Sequence, residues 1–205
     1  MLMCVAYVQV GTEEGKVHLA TTQYSSQYLM TYPAHSTPVY TIQWNSFVPT
    51  VFVTCAAEFV LKVWHKDSPR PILRFDLGSQ IGDVAWAPYS STVFAAVTVD
   101  GKVFVYDLSV NKYNPVCVQS VVSKKQSILN HIVFNKDEPI ILVGDSRGYV
   151  HSLKLSPNLR KRSKEAQKAM EEQDPEILKE WLKTEVRKLE QLLTQVIETT
   201  ATKEE

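Results

Sequence analysis

The sequence predicts an all-β body made of a repeated four-stranded unit, joined by a charged linker to a C-terminal α-helix. Three observations carry this reading. Composition divides the 205-residue chain near Arg160, because residues 161–205 hold 20 charged residues in 45, against 24 in the first 160. All seven glycines lie at or before Gly148, with Val, Thr, Tyr and Phe crowding the body and Glu, Lys, Leu and Gln the tail. The body also repeats itself. Val39–Trp44, Val51–Cys55 and Val60–Trp64 superpose without a gap on Ile81–Trp86, Val93–Thr98 and Lys102–Asp107, so Trp44 falls on Trp86 and Trp64 on Tyr106, 42 residues apart in both cases.

The elements follow in order. The apolar start MLMCVAYVQV has no basic flank and no small-residue cleavage site, so it reads as a strand and not as a signal. Val10 to His18 (VGTEEGKVH) matches Val143 to His151 (VGDSRGYVH) at both glycines, both valines and the histidine, which makes it a partial copy of the repeat. A third copy runs through Asn130–Phe134, Ile140–Val143 and Tyr149–Leu153. Connecting segments 28–32, 72–76 and 115–122 supply a fourth strand for each unit. Asp100-Gly101 is expected to form a two-residue hairpin turn with positive φ, and Glu14-Gly15 and Arg147-Gly148 hold the same place. A period of 42 to 48 residues fits the four-stranded blade of a WD-type β-propeller. Residues 1–160 therefore read as a partial propeller of about three and a half blades, 161–174 as a charged linker and 175–198 as an amphipathic helix. The repeat markers are His35, Trp44, Trp64, Trp86, Asp100, Gly101, Tyr106, Phe134 and Gly148. His35 and Trp64 stand where such repeats carry Gly-His and Trp-Asp, but the later copies lack the histidine, so the repeats are degenerate. The first unit lacks its innermost strand and the last its outermost. The chain is therefore expected to be a truncated product of a longer gene, with open strand edges that favour self-association.

Gly82 to Thr98 (GDVAWAPYSSTVFAAVT), with Asp100-Gly-Lys102, Asn111-Lys-Tyr113, Val143-Gly-Asp145 and Leu155 to Lys161 (LSPNLRK), resembles the C-terminal propeller half of axonemal dynein intermediate chains, those of the outer arm most. The opening Val10 to Lys16 and Tyr24-Ser-Ser-Gln27 agree, so the similarity covers about residues 9 to 162. The resemblance implies a non-catalytic scaffold in the axoneme of cilia or flagella. It would grip a dynein heavy chain and pair with a second dynein intermediate chain.

The rest of the chemistry is sparse. Lys plus Arg and Asp plus Glu are 22 each, so no global field recruits nucleic acid or an anionic membrane, and no apolar run reaches the length of a spanning helix. Cys4, Cys55 and Cys117 give neither a disulfide framework nor a metal spacing. No catalytic residue, cofactor or metal site is expected: His35 reads as a strut beside Thr54 and Trp64, and Asp83, Asp100, Asp107, Asp137 and Asp145 read as caps on turns. Rival readings are a WD-repeat adaptor binding peptide motifs in another cytoplasmic complex, favoured by an exposed aromatic or basic mouth, and a propeller hydrolase, which would need converging carboxylates. The basic run 154–164 reads as a solvated hinge. Asp174-Pro175 is a strong helix start. Beyond it Leu178, Leu182, Leu189, Leu192 and Val196 form an apolar stripe, which either packs on the chain's own blades or offers a face to a partner helix.

Overall fold

The computed structural model describes residues 7–23, 27–121, 127–157, 159 and 175–201. The 161–174 linker, Asp174 and Cys4 lie outside them. Among the described residues the chain forms fourteen strands in four antiparallel sheets. The first blade holds β1 (Tyr7–Gly11), β2 (Lys16–Thr21) and β3 (Met30–Pro33). The second holds β4 (Val39–Trp44), β5 (Val51–Ala56), β6 (Val60–His65) and β7 (Leu73–Asp76), and the third β8 (Ile81–Trp86), β9 (Val93–Thr98), β10 (Lys102–Asp107) and β11 (Cys117–Ser120). The fourth holds β12 (Leu129–Phe134), β13 (Ile140–Asp145) and β14 (Val150–Lys154). Each blade is a meander with its strands hydrogen-bonded in chain order. This is a partial β-propeller, followed by helix α1 (Pro175–Ala201).

Burial explains why the two middle blades are so apolar. Every residue of β5 and of β9 is buried, because each sheet is covered on both faces by a neighbour, whereas β13 alternates between covered and open positions. On the fourth blade Ile132, Phe134, Ile141 and Val143 pack toward the third. Val133 and its cross-strand partner Leu142 face away and stay exposed.

Two local devices recur at matching repeat positions. The inner strands β4, β8 and β12 each break register at one residue, Tyr40, Gly82 and Asn130. At Gly82 the neighbouring blade comes so near that a Cβ would stand 2.2 Å from the Leu129 carbonyl oxygen, so only glycine fits. The turns differ from the expected two-residue form. Gly15, Gly101 and Gly148 each close a four-residue turn by donating to the carbonyl three residues earlier, with φ of 81°, 82° and 84°. Glycine here occupies the left-handed position that follows a turn in a three-residue hairpin loop, and not the centre of a two-residue one.

Candidate interaction sites

The interfaces between blades repeat with the sequence. In the second blade Phe52 and Trp64 stack at 6.1 Å, Trp44 meets Phe52 edge-on, and Tyr32 of the first blade closes on both rings. In the third blade Phe94 and Tyr106 stack at 4.9 Å, Trp86 meets Phe94 edge-on, and Phe75 of the second blade closes on both. Trp64, Trp86, Tyr106 and Phe134 are buried and Trp44 is half-buried, so the aromatic markers are packing plates and not an exposed rim. At the fourth blade Phe134 faces Ile141 across the strands, and an aliphatic interface replaces the stacked pair.

His35 is part of a buried polar chain. Thr54 Oγ1 lies 2.9 Å from His35 Nε2 and accepts from Trp64 Nε1 at 3.0 Å, while His35 Nδ1 lies 3.1 Å from Glu58 Oε2. Burial of the ring lowers the histidine's pKa below its ordinary value. The neutral ring can then donate from Nδ1 to Glu58 and accept at Nε2 from the Thr54 hydroxyl. Burial raises the Glu58 pKa, but hydrogen bonds from the Ser36 hydroxyl and backbone N–H and from His35 outweigh it and hold the carboxyl down at about 2. Glu58 was not visible as a member of this chain, because it sits in the turn after β5, 23 residues from His35.

Asp83 departs from the expected turn cap. It lies inside β8 just after the bulge, buried, and its carboxylate joins three blades. Oδ1 accepts from the Thr41 hydroxyl at 2.7 Å; Oδ2 accepts from the Ile132 N–H at 3.1 Å and lies 3.4 Å from His131 Nδ1. Thr41, Asp83 and His131 hold one repeat position in the three inner strands, which is the signal that could have revealed the link. Beside them lies a cleft of about 380 Å³ lined in part by Gln43, Asp83, Trp86, Phe134 and Lys136. The nearby Cys55 thiol is pushed up to about 12, by burial first and the Asp83 charge second, so it is no nucleophile. Asp145 does cap a turn: hydrogen bonds from the Ser127 hydroxyl and the backbone of Tyr149 and Arg147 hold its carboxyl at about 2. Asp100 sits in the β9–β10 turn and pairs with Lys102 at 2.6 Å. Among the described residues no cluster of His, Cys, Asp or Glu is placed to hold a metal ion, and no helix is long and apolar enough to cross a membrane.

Helix α1 lies on the chain's own second and third blades. Ile177, Trp181, Glu185, Leu189 and Leu193, spaced every four residues, form the row that meets them, and Val196 follows. A row of this spacing runs obliquely round a helix, as ridge-into-groove packing demands. The expected stripe therefore divides. Leu189 and Val196 are buried and Leu192 is partly covered, whereas Leu178 and Leu182 are exposed beside the row and remain open to another molecule. Trp181 meets Phe47 edge-on at 5.3 Å. Glu185 Oε2 accepts from the Ser91 N–H at 2.7 Å and the Ser91 hydroxyl donates to the Glu185 carbonyl, while Asn45 of the second blade donates to the Ser91 carbonyl. A carboxylate in an apolar seam thus fixes the helix register by satisfied hydrogen bonds.

Comparison with known proteins agrees with this architecture. The WD domain, G-beta repeat, family matches residues 26–65. A chain of a crystal structure of the mitotic checkpoint complex shares the fold with a TM-score of 0.64 at 16% identity, over 75% of this chain and 49% of that one. The "Dynein intermediate chain 2, ciliary" of Heliocidaris crassispina is 54% identical over 190 residues, 92% of this chain and 26% of the relative. The 78 kDa intermediate chain of the flagellar outer arm dynein of Chlamydomonas reinhardtii is 47% identical over 83% of this chain and 25% of its own length. Dynein axonemal intermediate chain 1 of Bos taurus is 49% identical over 92% and 26%. The chain spans about a quarter of the length of these relatives. Over that span its blades, its repeat period and its sequence place it in the axonemal dynein intermediate chain family of WD-repeat proteins.

Proposed function

We propose that the protein is a non-catalytic scaffold subunit of an axonemal outer-arm dynein, its propeller binding the tail of a dynein heavy chain and a second intermediate chain in support of ciliary or flagellar motility. The observation that carries this reading is the 54% identity with a ciliary dynein intermediate chain across nine-tenths of the chain. The polar groups support it. Glu58, Asp83 and Glu185 are held by protein donors in structural seams, so they serve assembly and not turnover. The test is to extract outer arms from axonemes, separate them by sedimentation and search each fraction by mass spectrometry for peptides of this chain. Peptides that co-sediment with heavy chains and a second intermediate chain are expected. Their absence from that peak, with presence in the cytosolic fraction, would overturn the reading.

A further inference from the structure

We propose that the groove between α1 and the β10–β11 loop is a docking site for an acidic segment of a partner protein. The groove encloses about 420 Å³, with Ser109 of the loop on one wall, Arg187, Lys188, Gln191 and Gln195 of α1 on the other, and Leu192 among its lining. Lys112 brings a third cation to the rim, its Nζ donating to Gln195 Oε1 at 2.8 Å. That bond occupies the amide oxygen, which leaves the Gln195 NH2 group as a donor.

No carboxylate lines the groove, and Asp107 and Glu185 beside it are already engaged. Asp107 Oδ1 accepts from the Thr92 hydroxyl and from both the N–H and the hydroxyl of Ser109. Glu185 gives Oε2 to the Ser91 N–H, and its other oxygen stands 3.9 Å from Lys188, at the limit of an ion pair. Among the described residues Arg187 has no ion pair. An entering carboxylate would meet a guanidinium with no ion pair and an ammonium that Glu185 holds only at 3.9 Å, and charge-assisted hydrogen bonds of this kind are the strong ones. The amide donors and Leu192 suit a peptide. The chain's zero net charge and the small cationic cluster do not suit the long phosphate track of a nucleic acid. This site lies apart from the blade seams and does not depend on which complex the chain serves.

The test measures fluorescence anisotropy of a labelled twelve-residue peptide of alternating Glu and Leu against the full chain at low salt. Saturable binding is expected, weakened about tenfold or more by Gln in place of Glu, by the R187E/K188E double variant and by raised ionic strength. The K16E/K154E variant carries the same charge change on the first and fourth blades, on residues that do not line this groove, and it should bind like the unaltered chain. Equal losses in the two double variants would mean bulk attraction and overturn the proposal. So would undiminished binding of the Gln peptide, or tighter binding of a single-stranded oligonucleotide than of the acidic peptide. Circular dichroism of each variant confirms that the fold is kept, and Q191A/Q195A, which removes the two amides that line the groove, offers a second, uncharged probe, expected to weaken binding severalfold.

Discussion

Replacing Trp86 by Ala removes an indole that packs edge-on against Phe94 and whose N–H donates to the Gln43 carbonyl at 3.3 Å. The loss should be about 3 to 5 kcal/mol, the usual cost of deleting a large buried aromatic. His35→Ala should cost less, about 1 to 3 kcal/mol, because it removes less apolar contact and chiefly leaves Thr54 and Glu58 short of one partner each. Urea unfolding of the two variants checks the order. The same histidine sets a pH window. Burial depresses its folded pKa below 6.5, so its contribution is complete above that value and is lost as pH falls below it. Glu58, held at about 2 against an ordinary 4.5, adds a second loss between those two values. Unfolding midpoints of the unaltered chain should therefore begin to drop just below pH 6.5, whereas a His35→Gln variant should hold level until about pH 4.5.

At the level of the element, α1 offers a sharp contrast between neighbouring leucines. Leu189→Asp places a charge in the buried row and should free the helix, lower the melting temperature and open Phe47 and Leu108 to cleavage. Leu182→Asp, on the exposed flank, should leave both unchanged. Limited proteolysis followed by mass spectrometry distinguishes them. The helix itself was legible from its apolar periodicity, but the row that packs was not. Ile177 and Trp181 compete with Leu178 and Leu182 for the same part of the helix, and the shape of the blade surface decides between them. Glu185 hides the true row further, since a carboxylate reads as solvent-facing until Ser91 supplies its donor. The strands were legible because the 42-residue offset aligns two aromatic sandwiches. Asp83 was misplaced because the one-residue bulge before it leaves no mark in composition: a polar residue in an apolar strand looks like a turn.

At the scale of the whole molecule, two flanks carry apolar residues toward solvent: Val8 and Val10 on the first blade, Val133, Leu142 and Val150 on the fourth. Exposed apolar surface on a sheet whose edge strand has no partner among the described residues favours association. Sedimentation velocity of the isolated chain should show concentration-dependent oligomers, and changing Val133 to Glu with Leu142 to Lys should shift the distribution toward monomer. A single sharp monomer peak for the unaltered chain would mean that these flanks are satisfied in another way. The four tryptophans report three parts of this assembly. Trp64 lies in a near-parallel pair with Phe52, Trp44 is half-buried with its edge against the same Phe52, Trp86 lies at the seam between the second and third blades, and Trp181 is on α1. The molecule thus carries its own optical gauge. Release of α1 moves one indole from an apolar seam into water and shifts its emission to longer wavelength, while the near-ultraviolet dichroism of the stacked rings persists until the blades themselves part.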